Sequence, residues 1–294
     1  MRIAIDLQGI QSDGSRNRGI GRYSFELVRN IIKNGPDNHY VLVGNAALYD
    51  VRVFFRNELL QKNVNFLEWY TPCPVHHQSK KNSKKVVGKY IRSYFFSCLN
   101  VDIILLTSFL EGFSENFISE IDDLKPSTKV LSIFYDLIPL LNPSLYLTSN
   151  PDFSKFYHKK IKGLNQLDGL LAISSSSSQE IINHMKYDER YVFNISSACN
   201  NKLFNKDRLI KESRVIDFHK IGSFILYTGA CDPRKNIKNL LKAYSLLESE
   251  ISKNYKLVIA GSLIKPEEDL LEVWKHEFKI SKHNVVLLGY VSDD

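Results

Sequence analysis

Residues 224–247 read Phe224-Ile225-Leu226-Tyr227-Thr228-Gly229-Ala230-Cys231-Asp232-Pro233-Arg234-Lys235-Asn236-Ile237-Lys238-Asn239-Leu240-Leu241-Lys242-Ala243-Tyr244-Ser245-Leu246-Leu247. A short apolar run ends at a glycine and a polar turn follows. Apolar residues then recur at Ile237, Leu240, Leu241, Tyr244 and Leu247, the spacing of one helix face. Strand, turn and helix in that order make half of a βαβ unit. The pattern repeats downstream with Lys256-Leu257-Val258-Ile259, a helical segment near 266–279 and Val285-Val286-Leu287-Leu288. It also repeats upstream, where strand-length apolar runs begin at Arg2, Tyr40, Val64, Asp102, Val130, Gly169 and Tyr191. Most of these runs are apolar on both faces, as strands covered by helices on each side must be. The reading is α/β with parallel sheets.

The first helix is predicted over Tyr23 to Lys33, with Leu27, Val28, Ile31 and Ile32 on one face and a stop at Asn34-Gly35-Pro36. Five serines, Ser174 to Ser178, read as a strand end and helix cap rather than a linker. After Phe204 the chain turns polar through NKDRLIKESRVIDFHK before the alternation resumes. The expected organisation is therefore a first domain over 1–205, a linker over 206–222 and a second domain over 223–294. Three strands are few against a usual sheet of about 5–6, so the second domain is expected to be incomplete.

The 294 residues include 39 Lys and Arg against 32 Asp and Glu, a net charge of +7. That balance favours anionic partners without naming one. The 44% hydrophobic and 24% charged content is ordinary for a folded protein and excludes disordered, collagen-like and disulfide-scaffold classes. Cys73, Cys98, Cys199 and Cys231 are far apart, with no spacing for a metal site. Asp6 and Gln8 interrupt what would be the apolar region of a signal peptide, and no run spans a bilayer. A cytoplasmic chain with no metal or cofactor is expected.

Four stretches carry chemistry. Arg16-Asn17-Arg18-Gly19-Ile20-Gly21-Arg22-Tyr23-Ser24 combines glycines, a helix start and three arginines, which suits a phosphate; a flexible βα loop is the alternative. It is not a dinucleotide fingerprint, because about a dozen residues separate it from the strand and Ser24 holds the third glycine position. Gly229 to Asn236 places Arg234 and Lys235 at a helix N-terminus, where the macrodipole disfavours cations unless an anion binds. Asp136, in Phe134-Tyr135-Asp136-Leu137-Ile138-Pro139, follows a buried strand and is placed either to orient a hydroxyl or to cap a turn. Lys81, Lys85, Lys89 and Arg92 fall on one stripe of a helix whose other stripe is apolar, either a membrane-contact face or a solvated one. No nucleic-acid recognition motif accompanies these charges.

In order, RGIGRYS, YDLIPLLNPSLYL, DGLLAISSSSSQEI, VFNIS, YTGACDPRKNIKNLLKAYSLL, KLVIAG and VVLLGYVSDD resemble the motifs of glycosyltransferase family 4 over essentially the whole chain. The resemblance implies the GT-B architecture, two facing Rossmann-like domains with an acceptor site in the first and a nucleotide-sugar site mainly in the second. It implies transfer of a hexose, mannose among the candidates, from a GDP- or UDP-hexose to a polysaccharide or lipid-linked glycan. Family members retain anomeric configuration and need no metal. By the same resemblance Gly19, Gly21, Gly229, Arg234 and Lys235 match donor-binding positions. Tyr135 falls on the acceptor side, where many relatives carry histidine, and Asp136 is the catalytic candidate. The paired glutamates of the family, seven residues apart, are not found up to Asp294, so the chain is expected to be truncated and inactive alone. The competing class is a non-catalytic sugar- or lipid-binding scaffold.

Overall fold

The computed structural model describes residues 1–71, 75–78, 82–122, 124–198, 221–229, 233–261, 263 and 265–291. The chain divides into two compact units, Met1–Cys199 and Asn200–Asp294. The linker expected over 206–222 lies outside the described residues except at 221 and 222.

The first unit is built on a seven-stranded parallel sheet in the order β3-β2-β1-β4-β5-β6-β7. The strands are β1 (Arg2–Asp6), β2 (His39–Asn45), β3 (Val64–Trp69), β4 (Ile103–Leu106), β5 (Lys129–Phe134), β6 (Gly169–Ala172) and β7 (Val192–Asn194). Successive side chains go to opposite faces. Ala4, Val41, Val43, Ile104 and Leu106 therefore join one apolar cluster. Ile3, Ile5, Leu42 and Leu105 join the other. The order in which strands are added reverses at β1, which pairs in parallel with both β2 and β4, Asp6 ending each register. Ligands of open α/β sheets bind at such a switch point, outside the carboxyl ends of the strands.

The helices are α1 (Gln8–Gln11), α2 (Gly19–Asn34), α3 (Asn82–Cys98), α4 (Ile138–Leu141), α5 (Pro143–Tyr146), α6 (Pro151–Gly163) and α7 (Ser175–Met185). α2 buries Val28 and Ile32 and ends where the Gly35 amide donates to Ile31 O, 3.0 Å. It starts four residues earlier than its apolar spacing predicts, because Gly21 lets the preceding loop fold onto its first turn. The serine run behaves as expected: Ser174 caps α7 by accepting from the Ser177 amide at 3.0 Å. In α3 a Cβ on Gly88 would stand 2.5 Å from Val75 Cγ1, so this glycine is a close approach of the helix to its neighbour.

The second unit holds a three-stranded parallel sheet, β10-β9-β8. Its strands are β8 (Phe224–Thr228), β9 (Lys256–Ala260) and β10 (Val285–Gly289), and its helices α8 (Ile237–Ser245), α9 (Ser249–Asn254) and α10 (Lys265–Glu277). The helix whose apolar spacing runs from Ile237 to Leu247 ends at Ser245, because Leu246 and Leu247 form a turn before α9. Ile237, Leu241 and Tyr244 of α8 pack with Leu257, Ile259 and Leu271, so the spacing that opened the sequence reading is the buried face.

Candidate functional site

At the carboxyl edge of the first sheet the polar side chains are buried and bonded to one another. Asp6, fully buried, accepts from Gln8 Nε2 at 3.0 Å and from Arg92 Nη2 at 3.2 Å. Burial pushes its carboxyl up, against the pull of the Arg92 guanidinium. Gln8 also donates to Ile118 O (2.6 Å) and accepts from Asn45 Nδ2 (3.0 Å). Gln11 bridges Asn45 and Tyr49. Apart from Asp6 and Gln8, which are neighbours, these partners lie 34 to 110 residues apart in sequence, so no local pattern reveals them.

Arg92 corrects the expected surface stripe. Its guanidinium is 0% exposed and lies 4.5 Å over the Phe96 ring, so it takes no part in any outer face. Lys85 donates to His77 O and Lys89 pairs with Asp122. Lys81 lies outside the described residues. The outward face of α3 is instead apolar and aromatic: Val86, Val87, Tyr90 and Tyr94 are all exposed, Tyr94 by 73%.

The loop entering α2 is held by Glu115. One carboxylate oxygen accepts from Ser12 Oγ (3.0 Å) and Gly14 N (2.9 Å), the other from Asp13 N (2.9 Å). Gly19 is exposed with open space around it. Gly21 is different: a Cβ there would lie 2.4 Å from Arg16 O, and its amide donates to Ser15 O at 3.0 Å. Its bareness serves the chain's own backbone, which is a correction to a ligand-approach role. Arg16 is engaged with Asp13 at 2.7 Å and stacks on Tyr49 at 3.9 Å, whereas Arg18 stands at the rim of a cavity.

That cavity, of about 420 Å³, is bounded by the loop 12–20, the segment 108–115, the end of β5 and the aromatic side of α6. Asp136 lines it, with Oδ1 accepting from Ile138 N at 3.0 Å, the turn-capping arrangement. Tyr135 has its hydroxyl against Ser24 Oγ (2.6 Å), Ile20 O and Thr107 O, joining the start of α2 to the end of β4. Burial pushes its phenol above the ordinary tyrosine range. The segment 108–115 carries no motif in the sequence, although its Ser-Phe-Leu-Glu-Gly-Phe run follows a buried strand as Asp136 does.

In the second unit each strand ends on, or is followed by, a glycine with positive φ: Gly229 (143°) after β8, Gly261 (157°) after β9 and Gly289 (68°) at the end of β10. A Cβ on Gly261 would be 2.1 Å from Gly229 O, so the strand ends meet backbone to backbone. After Gly229 the turn Pro233–Lys235 leads through Asn236, which is left-handed at φ 57°, into α8. The first turn of α8 has no acidic residue and no side-chain cap. Arg234 and Lys235 are both exposed beside it. Uncapped amides, the positive end of the helix dipole and two cations coincide there, an arrangement that attracts an anion.

Residues 211–294 match the family model described as Glycosyl transferases group 1. Along its full length the chain is similar to the serotype-specific mannosyltransferase WbdA of Escherichia coli, 30% identical over 305 residues, and spans 36% of that protein. The chain thus spans about a third of the length of the curated relatives it matches. Among solved structures, Anabaena Alr3699/HepE in complex with UDP and glucose matches with a TM-score of 0.61 at 13% identity, covering 100% of this chain and 70% of that one. WaaG, a glycosyltransferase involved in lipopolysaccharide biosynthesis, matches with a TM-score of 0.53 at 11% identity, covering 99% and 70%. The two parallel-sheet units are those of the GT-B glycosyltransferase fold.

Proposed function

We propose that this relative of the group 1 glycosyltransferases takes part in moving a hexose, mannose first among the candidates, from a nucleoside diphosphate sugar to a glycan. The observation that carries the reading is the start of α8, where Arg234, Lys235 and uncapped amides converge after a glycine-ended strand. Such a site holds a diphosphate and stabilises the charge that builds on it as the sugar departs. The similarity to a mannosyltransferase supports the choice of sugar.

Chemically, the bond between the anomeric carbon and the phosphate oxygen breaks while the acceptor oxygen bonds to that carbon. The acceptor proton passes to the departing phosphate oxygen. Attack on the face the phosphate leaves gives retention and needs no nucleophilic side chain. The test is thermal unfolding with GDP-mannose, UDP-glucose and the bare nucleosides. One sugar nucleotide should raise the melting temperature, the nucleosides should not, and Lys235→Ala should remove the effect. Equal shifts by guanosine or uridine, or no shift by either sugar nucleotide, would overturn the reading.

The same reading places the chain on the cytoplasmic face of an anionic membrane, with Val86, Val87, Tyr90 and Tyr94 of α3 as the inserted stripe. Aromatic and aliphatic side chains exposed together on one helix of a chain with charge +7 support it. No helix among the described residues is long and apolar enough to cross a membrane. Flotation with phosphatidylglycerol vesicles should fall on joint Tyr90→Ser and Tyr94→Ser substitution; unchanged flotation would remove α3 from the account.

A further inference from the structure

The loop between α1 and α2 closes one side of the first unit's cavity, with Ser12, Gly14, Ser15 and Arg18 on its lining. From Asp13 to Arg18 it reads Asp-Gly-Ser-Arg-Asn-Arg, without one apolar side chain. Burial of apolar surface therefore does nothing to fix it, and polar contacts alone offset the entropy of ordering it.

Those contacts form two fastenings. The first belongs to the loop and its helix starts. Ser15 O accepts from Arg18 N (2.9 Å) and Gly21 N (3.0 Å), and Ser15 Oγ donates to Gly9 O (2.7 Å). This holds the far end of the loop on α2. The second crosses 101 to 103 residues of sequence, from Ser12 Oγ, Asp13 N and Gly14 N to the two oxygens of Glu115. Gly14 is part of it, since a Cβ there would stand 2.9 Å from Glu115 Oε1. Glu115 in turn stands on a fixed post. Phe117 N donates to Glu115 O (2.7 Å), and Gly112 O and Phe113 O accept from His77 N (3.0 Å) and Gln78 N (3.1 Å).

The two fastenings differ in kind. The first uses mostly backbone groups, which every side-chain change leaves in place. The second converges on a single carboxylate, whose charge strengthens all three bonds at once. Arg16 offers no substitute for it, because Arg16 reaches Asp13 within the loop and Tyr49, which does not line the cavity.

We propose that Glu115 is the latch of a strap over this cavity, a positioning residue whose release swings Asp13 and Gly14 outward while the loop stays pinned to α2 at Ser15. Asp13 and Gly14 are exposed, whereas Ser12 and Ser15 on either side of them are buried, so the moving part and its pivots are distinct. The latched strap sets how wide the mouth of the cavity stands. It acts on access whichever ligand the cavity takes, and is independent of the donor assignment at α8.

The test is hydrogen exchange of the 294-residue chain, resolved to single amides, in wild type and in Glu115→Gln, Glu115→Asp and Glu115→Ala. Glu115→Gln keeps the shape but removes the charge and turns an NH2 group toward the loop's donors. Exchange at Asp13 and Gly14 should rise at least about tenfold, with the amides of α2 beyond Gly21 and of the sheet unchanged. Glu115→Asp, which keeps the charge, should lie nearer to wild type than Glu115→Ala. Access is read separately by iodoacetamide labelling of a Leu110→Cys reporter on the cavity lining, which Glu115→Gln should speed several-fold. Unchanged exchange at Asp13 and Gly14 would overturn the latch. So would faster exchange spread through α2 and the sheet with a lower melting temperature, because Glu115 would then serve the fold at large. Faster local exchange with unchanged labelling of Leu110→Cys would overturn the control of access.

Discussion

Gly19 and Gly21 sit two residues apart at the start of α2 and answer to different demands. Gly21→Ala should cost about 1–3 kcal/mol, because the new Cβ would lie 2.4 Å from Arg16 O and the backbone must move. Gly19→Ala meets nothing within 4 Å and should be neutral or stabilising by up to about 1 kcal/mol. Chemical denaturation of both variants checks this, and equal losses would contradict it. Glu120 provides a second case. Burial alone would raise its carboxyl, but the Lys160 ammonium and backbone bonds outweigh it and hold it at about 2. Its folded value is depressed, so its contribution is full above about 4.5 and is lost as the pH falls through about 2. Glu120→Gln should therefore cost about 3–5 kcal/mol at neutral pH by leaving Lys160 buried without its counter-charge. The difference from wild type should shrink in urea titrations repeated between pH 4.5 and 2.5; a constant difference would mean the pair contributes no charge term. Sequence showed that glycines and charges lie near the site, but not which backbone each glycine meets or which cation each acid faces.

At the scale of elements, α3 shows where periodicity informs and where it stops. The stripe Lys85, Lys89 and Arg92 exists as spaced, yet spacing does not tell which side of a helix faces the core. The answer depends on Asp6, 86 residues away, which draws Arg92 into full burial. Arg92→Leu should destabilise by about 3–5 kcal/mol, and Asp6→Asn added to it should restore part of that loss, since the penalty is the uncompensated carboxylate. A double variant no more stable than the single one would show that Arg92 acts through its packing on Phe96. Gly88→Ala, which helix propensity alone would favour by about 1 kcal/mol, should instead destabilise, because the methyl meets Val75 Cγ1 at 2.5 Å. The strands were legible for the opposite reason. Their apolar residues occupy both faces and end at turn residues, so either orientation gives the same element. The cavity was half legible: Asp136 follows a strand, while Glu111 comes into place only through the fold of 108–117, where Gly112 takes φ 105°.

On the scale of the whole molecule, a parallel sheet organises each unit and directs chemistry to the carboxyl ends of its strands. In the first unit those ends border an aromatic and carboxylate cavity. In the second they are glycines followed by a basic helix start, the proposed seat of a diphosphate. Net charge +7 agrees with an anionic donor. The most direct measurement is calorimetric titration of GDP and UDP into the chain and into Lys235→Ala. The account predicts saturable binding of one nucleotide, weakened at least about tenfold by the loss of one charge-assisted contact. Binding of neither nucleotide, or equal binding by the wild-type and Lys235→Ala chains, would contradict it.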